Sequence, residues 1–314
     1  MWKRYPINIG HCAQPLTILV TGATGFIGSE LVRHLLEQGH TVITLTRKAD
    51  KAVGLFGPHV QVIQSLDVID DNTAIDAIVN LAGAKILALP WFDARRRQLL
   101  ASRIEVTNAI VRLCQRLHQK PRVLVSGSAI GYYGVRNDES CDESAPPQTR
   151  FQSELCRQWE TAALAARELG VRVVLLRTGL VLSENGGALP MMALPIRLCV
   201  GSILGDGQQW MSWIHLDDEI GLIEFAINQP AISGPLNAVA PVAVSHAEFQ
   251  TQLAKQLRRP LWLRVPAKLV RGLLGEMSEL LIAGQRVVPA KSMAQGYRFK
   301  YGTLQEALNS IYQR

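Results

Sequence analysis

No stretch of the 314-residue chain reaches the ~18 uninterrupted apolar residues that a membrane-spanning helix requires, so a membrane partner is not expected. Cysteine is scarce. Cys12, Cys114, Cys141, Cys156 and Cys199 are odd in number, and no two are spaced C-x-x-C. A disulfide framework or a zinc site is therefore not expected, nor any other metal, and a reducing cytoplasm is the expected compartment. The residues before the first strand, Met1–Pro15, carry charges but no apolar core of the kind a secretory signal needs, and they read as an N-terminal tail. Charge is thin as well. Charged residues make up 19% against 48% hydrophobic, a balance that excludes disorder and allows a sizeable core. The formal net charge of +7 is scattered. The one dense run, Arg95-Arg96-Arg97, is expected to be a solvated helix face, so nucleic acid is not an expected partner.

What is present is alternation. Leu16–Thr21 is a short apolar run ending at Gly22, and Thr41–Thr46, Val60–Ile63 and Ala77–Leu81 are runs of the β-branched and apolar residues that strands prefer. Between the first two, Ile27–Gln38 places apolar residues at Ile27, Leu31, Leu35 and Leu36, a helical spacing stopped by Gly39. Trp91–His118 reads as a long helix with a break near its start. Arg122–Ser126 and Val171–Arg177 are further strands, with a helix over Gln152–Leu169 between them. Strands and helices alternating at this spacing predict an α/β fold: a Rossmann-type, doubly wound parallel sheet. After Gly179, glycine and proline break the pattern; Asp217-Asp218 can cap a helix to about Gln229, Leu236–Val239 can add a strand, and the chain beyond Ser245 is mostly helical. The expected organisation is a tail over 1–15, a dinucleotide-binding domain over 16–182 with its sheet completed by parts of 210–245, and a small, mostly helical substrate-side domain over 183–314.

The junction after the first strand reads Thr21-Gly22-Ala23-Thr24-Gly25-Phe26-Ile27-Gly28. In a dinucleotide-binding loop the first glycine permits the turn, the second lets a pyrophosphate approach the backbone, and the third lets helix and strand pack closely. Free amides and the helix dipole then attract the phosphates. The end of the second strand selects the cofactor: an acid there binds the adenosine ribose of NAD, whereas a basic residue accommodates the 2′-phosphate of NADP. Thr46-Arg47-Lys48 has no acid at this point, so NADP(H) is expected in preference to NAD(H), with Arg47 and Lys48 beside the 2′-phosphate.

With Asn80-Leu81-Ala82-Gly83 after the fourth strand and Ser126-Gly127-Ser128-Ala129 after the fifth, the order of motifs resembles the extended short-chain dehydrogenase/reductase superfamily. Gly131-Tyr132-Tyr133-Gly134, Leu176-Arg177-Thr178-Gly179, Trp213–Asp218 and Gly284–Pro289 resemble its atypical, epimerase-like YfcH branch, and Gly275-Glu276 and Gly296-Tyr297-x-Phe299 resemble that branch's small C-terminal domain of unknown function. The resemblance runs from about Leu16 to Ile311. It implies cofactor contacts from Gly22, Thr24, Gly25, Phe26, Ile27 and Gly28, from Leu66 flanking the adenine, and from Leu81, Ala82 and Gly83 along the ribose and pyrophosphate. Thr178 and Leu180 are implied near the nicotinamide. It allows a homodimer, and a small-molecule substrate such as a nucleotide sugar or a carbonyl compound.

Ordinary members of that superfamily use serine, tyrosine and lysine. The tyrosine exchanges a proton while hydride moves, the lysine lowers its pKa, and the serine steadies the substrate oxygen. Ser128 matches the serine. Where Tyr-x-x-x-Lys is expected the chain reads Phe151-Gln152-Ser153-Glu154-Leu155, and none of its six tyrosines has a lysine four residues on. Asn-x-x-x-Thr on the preceding helix is likewise changed, to Arg103-Ile104-Glu105-Val106-Thr107. Tyr132 or Tyr133 can supply a phenol, Lys85 a charge, and Arg103 a site for an anionic substrate group or a cofactor phosphate. Cys156 and His215 are further candidates, and Trp91, Trp210 and Trp213 can line an apolar pocket or serve as packing. Two functions stay open: an NADP-dependent, epimerase-like oxidoreductase with a rearranged acid/base set, and a binding protein that holds NADP(H) without turnover.

Overall fold

Parallel strands cannot be joined by tight turns; each needs a crossover, and helices that cross on both faces bury the sheet completely. The computed structural model describes residues 14–86, 91–136 and 138–313, so most of the expected tail lies outside the described residues. Seven strands, β1 (Thr17–Thr21), β2 (Thr41–Leu45), β3 (Val60–Ile63), β4 (Ala77–Asn80), β5 (Val123–Ala129), β6 (Arg172–Thr178) and β7 (Gly234–Ala238), form one parallel sheet in the order β7-β6-β5-β4-β1-β2-β3. The expected doubly wound sheet is therefore the observed one.

The helices are α1 (Phe26–Glu37), α2 (Ala49–Phe56), α3 (Asp93–Arg116), α4 (Phe151–Leu164), α5 (Leu189–Arg197), α6 (Leu216–Asn228) and α7 (His246–Leu257), followed by shorter helices up to Leu304–Tyr312. Alternate strand residues feed two separate cores. Ile18 and Val20 of β1 pack with Leu31 and Leu35 of α1 and Ile223 of α6, whereas Leu19 packs with Ile110 and Leu113 of α3. That double burial is why β1 and β4 read as unbroken apolar runs. A third core joins α5, α7 and Leu304–Tyr312 through Ala193, Phe249, Leu253 and Leu308, around the fully buried Trp213.

Several boundaries differ from expectation. The long helix runs unbroken over Asp93–Arg116, leaving Trp91 before it, and α4 ends at Leu164 with a 3-10 turn over Ala165–Leu169. β5 continues to Ala129 because Ser128 and Ala129 pair with Arg177 and Thr178 of β6. Helix α2 was not foreseen. It is two turns long and buries only Ala52 and Phe56, too few positions to set a period. His215, rather than Asp217 or Asp218, caps α6: its Nδ1 accepts the Asp217 amide at 3.0 Å. Asp218 instead turns back to accept the amides of Lys300 and Tyr301. The triple-arginine run is not one solvated face: Arg95 is buried, Arg96 is half-buried over Phe151, and Arg97 is exposed.

The tightest junction is between β1 and α1. A Cβ on Gly28 would lie 2.3 Å from the Gly22 carbonyl oxygen and 2.9 Å from the Ala23 Cα. Both atoms are backbone, so neither can swing away. Gly28→Ala is expected to push α1 off β1 and lower stability by about 1–3 kcal/mol, the range for overpacking. Urea unfolding checks this, and an unchanged midpoint would show that the junction relaxes freely.

Candidate functional site at the sheet's switch point

The strand order reverses between β4 and β1, and in open α/β sheets the crevice beyond the carboxyl ends of such a pair is where ligands bind. Two loops line it here, Gly22–Gly28 after β1 and Leu81–Gly83 after β4. They touch through backbone. Gly22 has φ +70°, and a Cβ there would lie 2.6 Å from the Leu81 carbonyl oxygen, so only glycine fits. Beneath them lies a buried polar network. Thr21 donates to Asn80 Oδ1 (2.7 Å) and accepts the Ala82 amide (3.3 Å), while Asn80 Nδ2 donates to Thr107 of α3 (2.9 Å). Polar groups removed from water are costly unless satisfied, so this chain of bonds fixes both loops and α3 in one arrangement.

The N-terminus of α1 faces the crevice. Gly25 caps it without a side-chain hydrogen bond, and its first turn contains no acid. Its leading amides and positive dipole end are thus left for an anion. Phe26 is committed elsewhere: its ring lies against the turn at Gly186-Gly187, where an added Cβ would come within 2.4 Å. Thr24 is half-buried, and its carbonyl accepts Lys51 Nζ at 3.0 Å. Lys51 was missed in the sequence because it belongs to the unforeseen α2; its position four residues after Arg47 was the available signal. Arg47 and Lys48 are both exposed beyond β2, and Gly83 is exposed at the lip. Ile27 and Leu81 pack their side chains on the sheet core. Leu66 is buried against Ile110 and Leu113, and Val68 is the exposed side chain of that turn.

Beyond β5 and β6 the site is built from side chains. Arg177 forms a bidentate pair with Glu160 (Nε–Oε1 2.8 Å, Nη2–Oε2 2.9 Å), with both side chains almost wholly buried. Ser128 donates to the same carboxylate at 2.7 Å. Arg177 Nη1 reaches the Tyr133 hydroxyl at 3.0 Å, which in turn donates to Asn237 Oδ1 of β7 at 2.6 Å. The guanidinium also lies 3.5 Å from the centre of the half-buried Tyr132 ring. Burial alone would lower the Arg177 pKa; the paired carboxylate outweighs it and raises it. Thr178 donates to Glu219 Oε1 at 2.8 Å, and Glu219 Oε2 has no partner among the described residues. Leu180, half-buried, donates its amide to the Ser212 carbonyl.

Comparison with known proteins gives this geometry its family. The model of the NAD dependent epimerase/dehydratase family matches residues 18–238. The chain belongs to that family. A second model, of a domain of unknown function (DUF1731), matches residues 265–311. Among relatives, the chain is 39% identical over 304 residues to the chloroplastic epimerase family protein SDR39U1 homolog of Arabidopsis thaliana, covering 95% of this chain and 87% of the relative. It is 36% identical over 298 residues to epimerase family protein YfhF of Bacillus subtilis, covering 94% and 98%. Among solved structures, human epimerase family protein SDR39U1 (isoform2) with NADPH superposes with a TM-score of 0.85 at 32% identity, covering 95% of this chain and 100% of that one.

Within this epimerase fold, helix α4 decides what chemistry is available. Phe151 packs edge-on against Trp91 with ring centres 5.1 Å apart, and Leu155 is buried with Trp91, Leu99 and Met277. The α4 face toward β5 carries Gln152, Cys156 and Glu160 instead, with Cys156 beside Ser128 and Gly131. On either face, α4 contains neither tyrosine nor lysine. A cleft of about 870 Å³ opens at its N-terminal end, lined by Arg96, Gln148, Arg150, Phe151, Gln152 and Glu279.

The other candidate groups divide clearly. Burial pushes the Tyr133 hydroxyl up to about 12 and the Cys156 thiol up to about 11, so both stay protonated at neutral pH. Burial pulls His215 down to about 4, which suits its role as acceptor for the α6 amide. Trp213 is core, and Trp210 donates to Asp138. Lys85 is exposed.

Two expectations follow. Removing one partner of a buried ion pair strands the other charge. Arg177→Met should therefore cost about 3–5 kcal/mol in urea unfolding, and the Arg177→Met/Glu160→Met double variant should cost less than that single variant. A double loss equal to the sum of the singles would show that the two side chains act independently. The second concerns pH. Burial pushes the Glu219 carboxyl up from 4.5 to about 8, so across that window the folded chain keeps a proton that the unfolded chain releases. Stability should fall as pH rises from 4.5 towards 8, by up to about 1.4 kcal/mol per unit from this group. Glu219→Gln should remove that slope; equal pH slopes for the two proteins would contradict it.

Proposed function

We propose that this chain binds NADP(H) in the crevice between β1 and β4 and acts as an epimerase-like oxidoreductase whose proton transfer does not use a Tyr-x-x-x-Lys pair. One observation carries the cofactor reading: a side-chain-free cap at the start of α1 opens onto the switch-point crevice, beside a second strand that is followed by Arg47 and Lys48. Anions bind such helix ends through backbone amides, and an arginine fork suits a phosphate. The relative solved with NADPH, whose full length this chain covers, supports the same reading.

Gly22, Thr24, Gly25, Phe26, Ile27 and Gly28 would hold the pyrophosphate through backbone. Arg47 and Lys48, with Lys51 behind them, would meet the 2′-phosphate. Leu66 and Val68 border the adenine side, Leu81, Ala82 and Gly83 the ribose, and Thr178 and Leu180 the nicotinamide side. When bound, the nicotinamide supplies hydride transfer. Ser128 would orient a substrate oxygen, with Glu160 holding the serine hydroxyl, and Tyr132 is the phenol not locked in the core. The substrate expected is a small molecule, a nucleotide sugar or a carbonyl compound, in a cytoplasmic setting.

The absence of tyrosine and lysine from α4 also favours a second reading, a protein that holds NADP(H) without turnover. Screening NADPH-loaded protein against carbonyl compounds and nucleotide sugars separates the two. Turnover lost in Ser128→Ala and Tyr132→Phe supports the enzyme. Tight binding with no turnover across the panel supports the holding protein.

The cofactor preference has its own test. Arg47→Ala should weaken NADPH by about 1.5–3 kcal/mol, the worth of a hydrogen bond to a charged group, and leave NADH unchanged in a fluorescence titration. An equal loss for both cofactors would remove Arg47 from the 2′-phosphate.

A further inference from the structure

Two arginines of α3 donate to the loop after β4 and meet no acid among the described residues. Arg103 donates from Nη1 to the Leu99 carbonyl (3.0 Å) and from Nη2 to the Ala84 carbonyl (3.1 Å), and its guanidinium stacks over Trp159 at 5.1 Å. It lies flat against Gly83, where an added Cβ would be 3.1 Å from Cζ. Its Nε makes none of these bonds. Arg95, two turns earlier, is 6% exposed and donates to Gln98 Oε1 (2.7 Å) and the Lys85 carbonyl, while its Nε has no partner among the described residues. Neither guanidinium has a carboxylate partner among the described residues. The connecting stretch from Leu81 to Phe92 contains no Asp or Glu, and it adds Lys85 to the positive charge.

Buried charges in proteins are paired or bind a ligand, because an isolated one loses its hydration for nothing in return. Burial lowers the Arg103 pKa; Cys156 offsets part of this, and the neighbouring Arg95 lowers it further. Neutral carbonyls position the two forks without neutralising them. An arginine fork with open N–H groups is matched by the paired oxygens of a carboxylate or phosphate. The glycine loop has its own amides at the start of α1 for an anion.

We propose that Arg103, with Arg95 behind it, binds the anionic head of the small-molecule substrate, a carboxylate or a phosphate, at the Gly83-Ala84 turn. This rests on the crevice being the cofactor site, and the substrate then enters from the β4 side of it. The site selects for acids among the carbonyl compounds and for phosphorylated molecules among the sugars.

The test uses the full chain, with and without NADPH, in thermal unfolding with inorganic phosphate or acetate against sodium chloride at matched ionic strength. A rise in Tm that saturates with one anion is expected; phosphate or acetate as the effective probe identifies the head group. The rise should be lost in Arg103→Met and partly kept in Arg103→Lys, which also guards against a variant that folds poorly. NADPH affinity of both variants should stay within about twofold of the parent, below ~0.5 kcal/mol. No rise beyond chloride, or the same rise in Arg103→Met, overturns the proposal. A tenfold loss of NADPH affinity also overturns it, by assigning Arg103 to the cofactor. An anion response with no NADPH binding at all would instead sink the cofactor reading and leave the anion site standing.

Discussion

Arg177 and Glu160 form an almost wholly buried ion pair, and the side-chain half of the site is arranged around it. Such a pair is a weak source of net stability, because desolvation offsets most of the attraction. Its effect is directional. Apolar packing between α4 and the sheet tolerates small slides, whereas a bidentate contact between a strand and a helix does not. Ser128 is drawn onto the same carboxylate, Tyr132 lies on the guanidinium face, and Tyr133 carries the network on to Asn237 of β7. The ends of β5, β6 and β7 are thereby held in register with α4 at the edge where chemistry would occur.

Legibility of the fold followed burial. β1 and β4 are covered on both faces, so they appear in the sequence as apolar runs between turn residues. α2 buries two side chains and leaves no period to find. The last residues of β5, Gly127-Ser128-Ala129, are small and partly polar; only their pairing with β6 makes them strand. Arg95 illustrates the same limit for the site. In a run of three arginines it reads as solvated, whereas its guanidinium turns inward to the carbonyl of Lys85, ten positions earlier. Glu160 and Arg177 lie on different elements, and nothing local to either one signals the other. The glycine loop was legible because its close contacts are backbone to backbone, and such contacts leave their mark as glycine.

That contrast divides the crevice into two halves with different tolerance for change. The half at β1 and α1 presents amides, a helix dipole and positions where only glycine fits, held from beneath by the Thr21–Asn80–Thr107 bonds. The half at β5, β6 and α4 depends on which side chains are present. Here α4 fills one face with Phe151 and Leu155 and turns Gln152, Cys156 and Glu160 toward the sheet. A fold can keep a dinucleotide cradle while its chemistry changes, because the two are written in different parts of the chain.

The position of β7 bears on how the molecule is made. β7 closes the sheet beside β6, yet it follows the whole excursion through α5 and α6. During synthesis β6 therefore leaves the ribosome with a row of unpaired amides and carbonyls along its outer edge, a template for joining another nascent chain. The turn at Gly186-Gly187, which walls in Phe26, emerges in that same interval. The glycine loop, although encoded first, gains its outer wall only after most of the sheet has been made. The cradle is therefore complete only once the second half of the chain has been made, and any delay before Gly234 prolongs the display of an unpaired strand edge.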